Sequence, residues 1–126
     1  MTALVTLSDR TPGISRPTPA TGFRAALAEY PGCGMDAVKG QYHSYAPLLM
    51  MIGSADEEVS PKVCEAFARR AKDAGSELES VVFAGAEHNF DDPGAAKQSN
   101  PANHRATEEA MRRAEAFFAK QLLTAR

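Results

Sequence analysis

The stretch PLLMMIGSAD at residues 47–56 constrains this chain more than any other part of it. Five large apolar residues in a row leave no polar face, so the segment cannot be a strand with one side in water or an amphipathic surface helix. Pro47 ahead and Gly53 behind limit it to about six residues, which is strand length. A short strand buried on both faces belongs inside a parallel sheet with helices above and below. The residues that follow agree. Ser60 and Pro61 read as the cap and first turn of a helix over 61–74, and Gly75 reads as its stop. Val63, Phe67 and Ala71, with Cys64 and Ala74 beside them, form its apolar stripe. ELESVVFAG then predicts a second strand at 78–84. The spacing predicts a closing amphipathic helix over 104–123, with Ala110, Ala114, Phe117, Phe118 and Leu122 on one side. Alternating strands and helices with short links make an α/β layered sheet, and 126 residues suffice for one domain.

The N-terminal part is less regular. Residues 2–8 are apolar and fit either a short strand or the tail of a helix. Residues 9–22 hold three prolines and two glycines and read as loop. FRAALAEYP at 23–31 suits both periods. Phe23, Leu27 and Tyr30 sit at helical spacing, yet the run is short and ends in Pro-Gly, as a buried strand would.

Charge and composition exclude several partners. A net charge of −2 without a basic block offers nothing to nucleic acid or to an anionic membrane surface. No apolar run approaches the length of a membrane span, and no basic-then-apolar leader opens the sequence, so a cytoplasmic location is expected over a secreted or periplasmic one. Cys33 and Cys64 make neither a disulfide framework nor a zinc ribbon and leave the redox compartment open. No His/Cys/Asp spacing converges on a metal, and no cofactor motif is present, so neither is expected. His43 and His104 are expected to be surface residues.

Asp56 and His88 stand apart. The helix over 60–75 climbs about 1.5 Å per residue, a little over 20 Å in all. The strand after it returns about 3.3 Å per residue, again about 20 Å. The chain therefore leaves and re-enters the same edge of the sheet. Asp56 follows the first strand and His88 the second, both at the carboxyl edge, where open α/β folds place their sites. An Asp and a His meeting there form the orienting half of a catalytic triad. The same two residues also fit a plain turn cap and an edge histidine.

Three short motifs carry a resemblance. Gly53-Ser54-Ala55-Asp56 forms a G-x-x-D turn, Gly85 to Phe90 contains G-x-x-H-x-F, and Tyr30-Pro31-Gly32-Cys33 follows the ambiguous segment. In this order and at these separations, over about residues 23–122, they resemble the last three strand units of the dienelactone hydrolase family of α/β-hydrolases. The resemblance implies that 24–30 is a strand. It implies a partial α/β-hydrolase fold with about three parallel strands (24–30, 48–53, 78–84) and helices at 61–74 and 104–123. Residues 1–22 would be a remnant helix and a Pro-rich loop, and 23–126 the C-terminal half of the domain. It also implies that Asp56 orients His88 as general base in hydrolysis of a small-molecule ester or lactone.

The family's nucleophile, a Ser or Cys in a Gly-x-Ser/Cys-x-Gly elbow, has no counterpart in these residues. MTALVTL looks like the helix that continues such an elbow, so the nucleophile and the oxyanion donors are expected upstream of Met1. Ser8 lacks the elbow glycines. Cys33, between Gly32 and Gly34, is a chemically legitimate stand-in, but the family carries that cysteine without using it as nucleophile. Cys33 and Cys64 fit a disulfide in an oxidising compartment and two buried thiols elsewhere. A non-catalytic truncated product or small binding module of the same fold is the alternative. Without the strands expected upstream, the strand at 24–30, interior in the resembled fold, would be an open edge; an edge-strand homodimer or a partly ordered monomer that aggregates is expected, the symmetric dimer being the tidier outcome.

Overall fold

The computed structural model describes residues 2–9 and 17–123. Three strands, β1 (Ala26–Glu29), β2 (Leu48–Gly53) and β3 (Leu78–Phe83), form one sheet in the order β1-β2-β3, with both pairings parallel. The α/β parallel sheet expected from sequence is therefore present. Helices α1 (Thr2–Leu7), α2 (Pro61–Asp73), α3 (Ala95–Gln98) and α4 (Pro101–Phe118) surround it.

Ala26, Leu48 and Leu78 lie side by side across the register, so side chains of one parity share a face. On one face Leu48, Met50 and Ile52 pack against Phe67, Ala68 and Ala71 of α2 and against Leu4 and Leu7 of α1. On the other, Leu49 and Met51 pack against Phe83, Phe90, Ala106 and Ala110. All six residues of β2 are buried, as the uninterrupted apolar run requires. Each large side chain so buried contributes roughly 1.5–3 kcal/mol, which makes this strand the centre of both cores.

The helix ends follow local chemistry. Ser60 caps α2 by accepting the Val63 N–H at 3.4 Å, and Gly75 leaves the helix at φ +94°. Its buried stripe is Cys64, Phe67, Ala68 and Ala71, whereas Val63, expected inside, is exposed. The cap fixes the helix's rotation, and residues at i, i+3, i+4 and i+7 from Cys64 then face the sheet. Helix α4 begins at Pro101, three residues before the expected 104, because Asn100 caps it by accepting the Ala102 N–H at 2.9 Å. Ala119–Leu123 continues as a π-helical turn, and Leu122, expected on the apolar side, is exposed. The wider turn rotates the last residues out of the stripe.

The strand expected at 24–30 forms over Ala26–Glu29 only. Tyr30 takes φ 36°, a left-handed conformation that ends the ladder. Residues 2–7 are the helical alternative of the two read from sequence, anchored where the Tyr42 hydroxyl donates to the Leu4 carbonyl at 2.7 Å. Of the loop expected at 9–22, residues 10–16 lie outside the described residues, and Thr18–Thr21 close a turn through hydroxyl bonds. Among the described residues no helix is long and apolar enough to cross a membrane.

Cys33 and Cys64 are joined as a disulfide with Cα atoms 5.1 Å apart. The bond ties the loop after β1 to the first turn of α2, and both cysteines are fully buried. Closing a loop of 31 residues in the unfolded chain corresponds to roughly 3–4 kcal/mol of stability. Replacing both cysteines by serine is expected to lower the unfolding free energy in urea by about that amount. A change under about 1 kcal/mol would show that the bond adds nothing.

Candidate active site

The site is built where β2 and β3 end. Gly53 has no room for a side chain: a Cβ there would overlap the carbonyl of Ala86. That close approach lets the two turns after the strands bond to each other. Ala55 N–H donates to the Ala86 carbonyl at 2.9 Å, Ser54 N–H to the Phe83 carbonyl at 2.9 Å, and Gly85 N–H to Ser54 Oγ at 2.8 Å. Gly85 itself sits at φ +74°, in the left-handed region that glycine enters without cost.

Asp56 and His88 meet across this seam. The Asp56 side chain has no exposed surface, and its two oxygens have separate duties. Oδ1 accepts the backbone N–H groups of Glu58 (2.9 Å) and Val59 (2.7 Å), while Oδ2 lies 2.9 Å from His88 Nδ1. With the carboxylate acting only as acceptor, Nδ1 carries the proton and Nε2 keeps its lone pair, a tautomer assigned from the hydrogen-bond network. The imidazole is 17% exposed, and Glu58 Oε2 stands 3.5 Å from Nε2. The Tyr30 ring lies against the imidazole, with centroids 4.7 Å apart. Its hydroxyl donates to Asp91 Oδ1 at 3.0 Å; burial and then that bond push the phenol above its ordinary range, so it stays a donor. Tyr30 and Asn89, at φ 36° and 52°, are non-glycine residues held left-handed on either side of His88. Such positions cost on the order of 1–3 kcal/mol each and persist only where packing over-determines them. Here Phe90 supplies that packing, fully buried and edge-on to both Tyr30 and Phe83.

The histidine turn is fastened from behind by α3 and α4. Asn103, completely buried, accepts the Glu87 N–H at 2.9 Å and donates to Glu87 Oε2 (3.0 Å) and the Lys97 carbonyl (3.2 Å). Lys97 Nζ donates to the His88 carbonyl at 2.9 Å and to Glu87 Oε2 at 3.2 Å. Gln98 and Thr107 both donate to the Phe90 carbonyl. The Asn103 bond, and then Lys97, hold the Glu87 carboxyl below its ordinary range. The stabilisation that this contributes is present above the ordinary glutamate range and is lost as pH falls through the lowered value.

Sequence reasoning named Asp56 and His88 but passed over Asn103, Lys97, Gln98, Thr107 and Glu58. Asn103 reads from sequence as the cap of a helix expected from 104, and it falls inside α4 only because Asn100 takes the cap. The other candidates lie apart from the pair. Ser8 bridges Ser44 at the opposite end of the sheet, near the start of β2. Cys33 has no free thiol. His43 Nδ1 is 3.2 Å from Asp9, and His104, on the outer side of α4, is 3.9 Å from Glu108. Among the described residues no group of three His, Cys, Asp or Glu side chains is placed to hold a metal ion.

Asn103→Ala would strip the Glu87 N–H of its partner and remove one of two donors to the Lys97 carbonyl, which keeps the Asn100 N–H. It is expected to destabilise the protein by about 1–3 kcal/mol and to speed amide exchange in the 85–90 turn ahead of β2. Unchanged exchange in that turn would show that α4 does not hold the histidine.

By backbone shape the chain is similar to esterase 2 of the planctomycete Thermogutta terrifontis. The propionate-bound form aligns with a TM-score of 0.66 at 19% identity, over 98% of this chain and 53% of that one. The apo form gives 0.67 at 19% identity, over 98% and 52%. An alpha-beta serine hydrolase homologue from Coxiella burnetii gives 0.51 at 20% identity, over 68% of this chain and 38% of that one. These likenesses speak for the fold, and the chain spans about half the length of the esterase structures. Curated protein sequences show no match. The sequence model of the dienelactone hydrolase family matches residues 17–122, and the chain belongs to that family.

Proposed function

We propose that this chain carries the acid–base pair of an ester or lactone hydrolase, with the nucleophile supplied by the other half of the α/β-hydrolase fold. One observation carries the reading: a buried Asp56 carboxylate, saturated by two backbone donors and His88 Nδ1, fixes the imidazole with its Nε2 lone pair outward. A histidine so held is oriented for proton transfer. In the proposed cycle Nε2 takes the proton of a serine or cysteine nucleophile as it adds to the ester carbonyl. The imidazolium, stabilised by Asp56, then returns the proton to the departing alcohol, which in a lactone stays attached to the acyl chain. Water, deprotonated by Nε2, then adds to the acyl carbon, and the bond to the nucleophile breaks as the nucleophile takes the proton back from Nε2 and the acid is released. The family and the esterase neighbours support hydrolysis as the reaction class.

In a protein that joins this chain to its nucleophile-bearing half, His88→Ala and Asp56→Asn are each expected to lower kcat on p-nitrophenyl acetate by about 10³-fold or more. A kcat in both variants equal to that of the unsubstituted protein would remove the proposal. Residues 1–126 alone are expected to turn this ester over no faster than free imidazole. Faster turnover, lost in both variants, would mean that the nucleophile lies within this chain.

A further inference from the structure

The atom of His88 that would face a reacting carbonyl is Nε2, and a carboxylate already faces it. Glu58 Oε2 lies 3.5 Å away. Its main chain is fixed by the acid itself, since the Glu58 N–H donates to Asp56 Oδ1 at 2.9 Å. Its side chain is 71% exposed, and among the described residues it pairs with no lysine or arginine. Beside His88 the surface forms an open depression of about 330 Å³ with Glu57, Glu58, Glu87 and Lys97 on its walls. Three carboxylates thus face one ammonium. That ammonium is occupied, because Lys97 Nζ already serves Glu87 Oε2 and the His88 carbonyl. Glu87 stays ionised at neutral pH, since Asn103 and Lys97 hold its carboxyl below the ordinary range.

We propose that Glu58, with Glu57 beside it, is a charge filter for this site, disfavouring esters and lactones that carry a carboxylate near the scissile bond and favouring neutral and, above all, cationic ones. This rests on the hydrolase reading given above. A carboxylate of a bound substrate would come within about 6 Å of Glu58, inside the screening length of physiological salt. At that range and in a half-solvated setting, one unit charge changes the encounter by roughly three- to tenfold. Groups brought by the other half of the fold add to this field, but the contribution of Glu58 is separable by substitution.

Alkylation of His88 measures the field at Nε2 directly. The Nε2 lone pair displaces iodide from iodoacetamide or iodoacetate, a C–N bond forming as the C–I bond breaks; the reagents share a leaving group and differ in charge. The disulfide leaves no thiol to compete. Peptide mapping of the 85–90 turn then gives the ratio of the two rates. That ratio is expected to be about three to ten times larger at His88 than in N-acetylhistidine. It should fall toward the N-acetylhistidine value in Glu58→Gln, which keeps the backbone N–H that Asp56 needs, and also in 0.5 M NaCl. The His88 Nδ1 proton resonance, read by NMR, checks that the Asp56 bond persists in the variant. A ratio equal to that of N-acetylhistidine, or one that Glu58→Gln leaves unmoved, overturns the filter. Because alkylation needs neither nucleophile nor turnover, that outcome leaves the hydrolase reading intact. Failure of the His88 and Asp56 variants to lower kcat would in turn leave the alkylation ratio unchanged.

Discussion

Everything at the candidate site depends on the missing side chain of Gly53. Because nothing projects there, the turn after β2 and the turn after β3 lie backbone to backbone. The amide of Ala55 reaches the carbonyl of Ala86, and Asp56, one residue on, and His88, two residues on, are carried into hydrogen-bond range. Any side chain at that position would push the turns apart by more than the tolerance of a 2.9 Å bond. The parallel pairing of β2 with β3 brings the strand ends to one edge, and Gly53 closes the remaining gap.

Once the pair is set, the surrounding structure is organised to keep it. Two left-handed non-glycine residues flank the histidine, and neither conformation is favourable alone. They are held by contacts from three directions: Phe90 in the core, the Tyr30 hydroxyl on Asp91, and the amide and ammonium groups of Asn103 and Lys97. The buried polar atoms of Asn103 all have partners, which is the condition under which such a group rigidifies rather than weakens a core.

Much of this was legible in the residues, for physical reasons that differ from place to place. The LLMMIG run could only be a two-sided strand, and Ser60-Pro61 could only open a helix, because few structures satisfy either pattern. The carboxyl-edge placement of Asp56 and His88 followed from rise per residue alone. The rotation of α2 was misjudged by one residue, since Val63 and Cys64 are similarly apolar and only the cap geometry decides between them. FRAALAEYP satisfied both periods at once. Its strand identity came from a resemblance, and its early end at Tyr30 came from a backbone torsion with no sequence signature. Asn103, Lys97 and Gln98 act on the histidine turn from a helix and a half-turn that follow it, and contacts of that kind have no fixed spacing to read. Glu58 was hidden for the opposite reason. It sits two residues from Asp56 in a run of acidic residues that reads as solvated turn.

The Cys33–Cys64 bond divides the site into two parts of unequal freedom. The covalent ring it closes runs through β2 and the whole turn that presents Asp56, while His88 and the α3 and α4 groups that fasten its turn from behind lie outside the ring. The two members of the pair therefore belong to segments with different freedom. A partial opening of the chain can peel β3 and α4 away with the histidine, yet the turn that carries the aspartate remains tethered to α2 and to the loop that carries Tyr30. The aspartate is the anchored partner and the histidine the detachable one, and in an oxidised chain reassembly of the pair starts from a half already in place.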